Sequence, residues 1–256
     1  MSYKKGGVRA MKLFCIPYSG GSAAAYYKWK NILPKDIQIV AIELAGHGMR
    51  INEQCFKNVK SCVEDIAKEI IKHIDDDDYA IWGHSMGAIL VYETYYKLLE
   101  MGIKAPIHMF FSGRKAPYDM KNRTSYYKLP DKEFEMVVES YGSNVREVMQ
   151  NETLRSLFMP ILRADFELGE TYEWYEKPYK IACDITIVNG KEDSSISKIN
   201  MKDWSNCCGA DCTVTYFNGG HFFLFECCEK VGELINKTLD KYRLKEAVTF
   251  SRILEV

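Results

Sequence analysis

The chain has 256 residues, with 34 Lys and Arg against 35 Asp and Glu, a formal net charge of -1, and 47% hydrophobic residues. This composition excludes disorder, and a near-zero charge argues against nucleic acid as the main partner, because phosphate binding needs a basic surplus. No apolar run approaches the roughly 18–20 residues that cross a bilayer, and no apolar leader stretch follows the basic residues 1–10, so a cytoplasmic protein without membrane association is expected.

In chain order, residues 12–17, 37–42, 79–82, 107–112, 184–189 and 213–217 are short β-branched and apolar runs that read as strands. Helix-period stretches lie between or after them at 61–74, 85–101, 198–206 and 226–242. Strands alternating with helices predict a mostly parallel central sheet covered on both faces, an α/β fold spanning 1–256 as a single domain. The alternation breaks over 115–179, which has no strand pattern but helical ones at 131–141, 145–150 and 152–175. We read that stretch as a helical lid insertion over the carboxyl ends of the strands, where ligands of open α/β sheets bind. Residues 243–256 read as a C-terminal tail, and the four aspartates at 75–78 as a solvated turn. Tyr26, Tyr27 and Trp29 are expected to pack a helix, and Tyr92, Tyr95 and Tyr96 to fall in the core or at its rim. For Met149, Phe158 and Met159, an acyl-channel lining and ordinary helix packing are equally open.

The nine cysteines are an odd count that fits poorly with a closed disulfide framework. Cys207, Cys208 and Cys212 have suggestive spacing, but no nearby histidine completes a zinc set. The cysteines therefore read as small apolar fillers in a reducing compartment.

Gly83-His84-Ser85-Met86-Gly87 matches G-x-S-x-G, directly after a strand and directly before an apolar-periodic helix. That strand–turn–helix setting is what the motif requires to raise a nucleophilic serine above the sheet, in the α/β-hydrolase manner. A serine hydroxyl needs a base, and the chain order Ser…Asp/Glu…His puts it after Ser85. Only His108 and His221 lie there. His108 falls mid-strand and is expected to point into a sheet face, whereas His221 follows a strand through a flexible Asn218-Gly219-Gly220 loop. For the orienting acid, Asp193 lies just beyond the tip of strand 184–189, with Glu192 its main competitor and Asp165, Asp203 and Asp211 in helical or turn patterns. An oxyanion hole needs two backbone N–H groups. One is expected from Met86 and the other from Tyr18 or Ser19, in the loop after the first strand.

These residues, together with Leu13–Ser22, Ser112–Pro117, Leu129-Pro130-Asp131, Pro160–Phe166 and Gly219–Leu224, make the chain resemble the type II thioesterases of nonribosomal-peptide and polyketide assembly lines. The resemblance runs from about Lys12 to Tyr242. It implies an editing hydrolase that removes acyl groups from the phosphopantetheine thiol of an acyl or peptidyl carrier protein, with Ser85, Asp193 and His221 as the triad. The lid would then gate the acyl pocket. No metal or organic cofactor is required, and a monomer is expected. One departure stands out: the family often reads Leu-Pro-Gly-Arg-Gly where this chain reads Leu44-Ala45-Gly46-His47-Gly48, so His47 stands in place of an arginine. A carboxylesterase or lipase, or an acyltransferase, would use the same triad, and a binding module would keep it silent.

Overall fold

A computed structural model describes residues 11–74, 78–118, 124–196 and 201–253. The basic N-terminal stretch and most of the 75–78 aspartate run lie outside the described residues. Six strands form one sheet: β1 (Met11–Ile16), β2 (Ile37–Ala41), β3 (Tyr79–His84), β4 (His108–Ser112), β5 (Asp184–Gly190) and β6 (Cys212–Phe217). Their order is β2-β1-β3-β4-β5-β6, and every neighbouring pair is parallel. The chain moves outward from β1 to β2, then returns to build the rest of the sheet on the other side of β1. The order therefore reverses at β1/β3, and the crevice beyond the carboxyl ends of those two strands is the place such sheets offer a ligand.

Every residue of β3 and β4 is buried, as a strand covered on both faces requires. Successive side chains serve opposite layers. Tyr79 and Ile81 join Phe111 in the layer packed by α1 (Val59–His73) and α2 (Met86–Glu100). Trp82 and Phe110 join the opposite layer, with Tyr26 and Trp29 of the 3-10 run Ala23–Asn31 and Val231, Ile235 and Leu239 of the last helix. Tyr27 departs from expectation: it is 51% exposed, because the buried positions of that run fall three apart, at Ala23, Tyr26 and Trp29. Tyr92, Tyr95 and Tyr96 are buried in the first layer.

Between β4 and β5 lie α3 (Asp131–Glu139), α4 (Ser143–Gln150) and α5 (Glu152–Glu170). They share a small core of their own around Phe134, Val138, Met149 and Leu162, against which Phe158 and Met159 also pack. Arg163 ties this segment together. Its guanidinium donates to the carbonyls of Tyr127 and Leu129 and to Asp131 Oδ1, and lies 4.4 Å over the Phe134 ring. After the short α6 (Phe223–Glu226), α7 (Cys228–Ile253) continues as one helix through most of the stretch read as a tail. The stretch expected as helix at 198–206 is a 3-10 run, Met201–Cys207, among the described residues.

All nine cysteines are free thiols. Burial pushes Cys207 and Cys212 up to about 11, and among the described residues no three His, Cys, Asp or Glu side chains form a metal-ligand cluster. Among the same residues no helix is long and apolar enough to cross a membrane.

One buried ion pair fastens the chain after α5 to the sheet layer. Lys177 Nζ lies 2.7 Å from Glu93 Oε2 on α2, with side chains 4% and 10% exposed, and Tyr172 donates to Glu93 Oε1 at 2.6 Å. Removing one partner leaves the other charge buried, a loss of about 3–5 kcal/mol. Lys177→Met should therefore lower the unfolding free energy by that order in urea, and adding Glu93→Leu should recover much of it. A single-variant loss below about 1 kcal/mol would mean the pair is screened like a surface one.

Candidate active site

The site begins with a backbone constraint. Ser85 has φ 54° and ψ -114°, the one positive φ outside glycine among the described residues. Strain of this kind costs about 1–3 kcal/mol and persists only where its surroundings over-determine it. Here they do. The Ser85 amide donates to the Ser112 carbonyl at 2.7 Å. A Cβ at Gly87 would lie 2.5 Å from the Ile16 carbonyl oxygen and 2.6 Å from that of Pro17, and one at Gly83 would lie 2.3 Å from the Gly87 carbonyl oxygen. Only bare backbone lets α2 start this close to β1 and β3. Met86 is the first residue of α2, where amides have no partner within the helix and the helix dipole is positive.

Across the cleft, the loops after β5 and β6 bring Asp193 and His221 together. His221 Nδ1 lies 2.7 Å from Asp193 Oδ2, with side chains 6% and 2% exposed. The other carboxylate oxygen accepts from Ser195 twice, from its amide at 3.0 Å and its hydroxyl at 2.6 Å. Burial alone would raise the Asp193 carboxyl, but the bonds from His221 and Ser195 outweigh it and hold it below the ordinary carboxylate value. An ionised carboxylate only accepts, so Nδ1 donates in this bond, and the tautomer it selects for a neutral ring has its lone pair on Nε2. Glu192, the competing acid, turns instead to the Gly219 amide. His108 sits in the sheet face, held by Thr186 and Tyr242, and burial and then Lys241 push it down to about 3.

Ser85, Met86, Tyr18, Ser19 and His221 line one cavity of about 360 Å³. Its remaining wall is mixed: Val138, Leu162, Phe166 and Ile196 are apolar, while Arg114, Lys115, Thr124 and Glu170 are polar. Much of it comes from the helical segment between β4 and β5. Met149, Phe158 and Met159 pack within that segment and are absent from the wall.

Sequence reasoning weighed His84 as a flank of the site or a structural residue, and it missed the other neighbours. The His84 ring lies 4.9 Å from the His221 ring and its Nδ1 is 2.8 Å from Ser112 Oγ. Burial first, then His221, pushes its pKa down, so it stays neutral beside the other imidazole. Tyr141, at the end of α3, places its ring 5.0 Å from His221. Asp165, weighed from the sequence only as an acid for the base, pairs with His47 at 2.9 Å. No local motif marks these contacts, which join residues far apart in the chain. For Ser195, its place two residues past Asp193 in the loop after β5 is the one local signal.

Residues 11–242 match the Thioesterase domain family. The chain is 33% identical over 229 residues to the gramicidin S biosynthesis protein GrsT of Aneurinibacillus migulanus, covering 90% of this chain and 89% of that one. Among solved structures it superposes on ClbQ from the colibactin NRPS/PKS pathway with a TM-score of 0.87 and 32% identity, covering 91% of this chain and 98% of the other. It also superposes on the type II thioesterase BorB from the borrelidin biosynthetic cluster, with a TM-score of 0.81, 25% identity, and 93% and 96% coverage.

The backbone constraint is testable by a pair of alanines. Gly87→Ala forces a methyl against two fixed carbonyls and should cost about 1–3 kcal/mol or more in urea unfolding. At Gly169 a Cβ would meet nothing within 4 Å. Gly169→Ala inside α5 should therefore gain about 0.5–1 kcal/mol. Equal effects at the two positions would contradict the close-approach account.

Proposed function

The chain belongs to the thioesterase family, as a type II thioesterase of nonribosomal-peptide and polyketide biosynthesis with an α/β-hydrolase fold, and from this premise we propose that it releases acyl groups from the phosphopantetheine arm of carrier proteins through Ser85, His221 and Asp193. The observation that carries the mechanism is the 2.7 Å Asp193–His221 pair, whose histidine lines the same cavity as Ser85.

In this reading the Ser85 hydroxyl oxygen attacks the thioester carbonyl carbon while His221 Nε2 takes its proton. Asp193 holds the imidazole in the required tautomer and stabilises the cation that forms. Negative charge on the carbonyl oxygen is met by the Met86 amide and by that of Tyr18 or Ser19. Preorganised donors of this kind are each worth about 10²–10³ in rate. The C–S bond then breaks, and the thiol leaves with the proton from His221. Water, deprotonated by His221, attacks the acyl-serine ester and returns Ser85 and a free acid. No step requires a metal or an organic cofactor.

A carrier-bound substrate agrees with the mixed wall. Apolar Val138, Leu162 and Phe166 suit an acyl group, and the polar side chains suit the amide-rich pantetheine arm. The biological role that follows is editing: clearing stalled or wrongly primed carrier domains so that assembly resumes. The helices between β4 and β5 act as the lid over that pocket.

Mass spectrometry of acylated carrier proteins before and after addition of enzyme tests this directly. Wild-type enzyme should convert acyl-pantetheinyl to free pantetheinyl carrier, and Ser85→Ala should lower the rate by about 10⁴-fold or more. Asp193→Asn should lower it on the order of 10⁴-fold through the wrong tautomer, whereas Glu192→Gln should change it little. Retention of most turnover by Ser85→Ala would sink the assignment. A strong preference for simple aryl esters over acyl-carrier proteins would point to an esterase instead.

A further inference from the structure

The Asp165 carboxylate, on α5, reaches the loop after β1. Its Oδ2 accepts the Gly20 amide at 2.7 Å and lies 2.9 Å from His47 Nε2. The His47 and Asp165 side chains are 3% and 6% exposed. The other nitrogen of that ring, Nδ1, lies 3.0 Å from the Ala45 carbonyl oxygen. A carbonyl only accepts, and so does an ionised carboxylate. Both bonds therefore coexist only when the ring carries two protons, and a neutral His47 must give up one of them.

A second contact joins the same elements. Gly20 has φ +74°, and a Cβ there would lie 2.6 Å from Leu162 Cδ2 of α5. The loop is thus gripped from α5 by one hydrogen bond and one van der Waals contact. Asp165 shares the cavity wall with Ser85 and with Tyr18 and Ser19 of that loop.

We propose that His47 and Asp165 are positioning residues for the oxyanion loop: cationic His47 holds the Asp165 carboxylate where it grips the Gly20 amide, and deprotonation of His47 loosens the loop. The inference rests on reading Tyr18 and Ser19 as the oxyanion side of the site.

The surrounding charges favour the cation. Burial opposes it, but the Asp165 bond and charge, the Ala45 carbonyl and Glu43 outweigh burial and raise His47 above its ordinary value. The Cys55 and Cys62 thiols near Asp165 are pushed up, chiefly by burial, and stay neutral. The nearby Arg50 is engaged by Glu53 and Asp65. A raised folded value means the contribution is complete below about 6.5, the ordinary imidazole value, and is lost as pH rises through the folded one. An arginine, expected here from the family resemblance, would hold the same carboxylate at every accessible pH.

The test uses the full chain. A ¹⁵N NMR titration should show His47 doubly protonated at pH 6.5 and losing its proton above that. The kcat for acyl-carrier hydrolysis should fall on the alkaline side with the same midpoint. His47→Arg should remove that limb while keeping turnover at pH 6.5. His47→Gln should lower kcat about tenfold at pH 6.5, with KM little changed, since a displaced oxyanion donor acts on the transition state. A His47 found neutral at pH 6.5, or an alkaline limb unchanged in His47→Arg, overturns the proposal. Should His47→Gln fail to fold, wild type and His47→Arg still decide it. The NMR titration needs no substrate, so it stands apart from any failure of the thioesterase reading, which Ser85→Ala reports.

Discussion

The carboxyl edge of the sheet depends on how closely α2 approaches β1 and β3. Gly83 and Gly87 permit that approach because any side chain would meet carbonyl oxygens at 2.3–2.6 Å. The approach forces Ser85 into a backbone conformation that costs about 1–3 kcal/mol. Nearly all of α2 is buried, including Ile89, Leu90, Val91 and Leu98. Full burial of one such side chain is worth about 1.5–3 kcal/mol, so two of them already exceed the strain. The strained serine is stable because the helix behind it is a core element.

From that anchor the electrostatics follow. Ser85 stands at a helix N-terminus, favourable for developing negative charge. His221 is held by an ionised Asp193 that Ser195 also supports. The nearest second imidazole, His84, is buried and neutral, so it adds no repulsion when His221 gains a proton. The two histidine rings, 4.9 Å apart, differ in their partners: His221 Nδ1 meets a carboxylate, whereas His84 Nδ1 meets the Ser112 hydroxyl.

How much of this was legible in the sequence follows from the range of each interaction. The strands of a doubly covered parallel sheet are continuous apolar runs, so residues 79–82 and 107–112 announced β3 and β4 to within about two residues. The turn at Gly83–Gly87 announced itself because its glycines, serine and flanking elements lie within a few positions. The choice between Asp193 and Glu192 was less legible, since it turns on which carboxylate the loop aims at His221 and which at the Gly219 amide. Tyr27 looked like its neighbours Tyr26 and Trp29 because a 3-10 run rotates faces differently from the α-helical period assumed. The His47–Asp165 pair spans 118 residues and belongs to no local pattern. A histidine in place of an expected arginine was its one trace.

The segment between β4 and β5 has a physical independence that bears on specificity. Phe134, Val138, Met149 and Leu162 give it a core separate from the two sheet layers. Its ties to the rest include several specific polar contacts: Asp165 to Gly20 and His47, and, just beyond α5, Lys177 to Glu93. The same segment supplies Val138, Tyr141, Leu162 and Phe166 to the cavity wall, whereas the turn after β3 and the loop after β6 supply Ser85 and His221. Val138 and Phe134 lie in that separate core, whereas Tyr141 packs on the His221 ring and Leu168 joins the core of α2. Ser85 and its glycines therefore rest on the sheet edge, while much of the shape and polarity of the cavity wall comes from a segment with a core of its own, joined to that edge at Tyr141, Asp165 and Leu168. A fold arranged in this way can vary its substrate through positions such as Val138 while keeping one reaction, so long as those few joining contacts are kept.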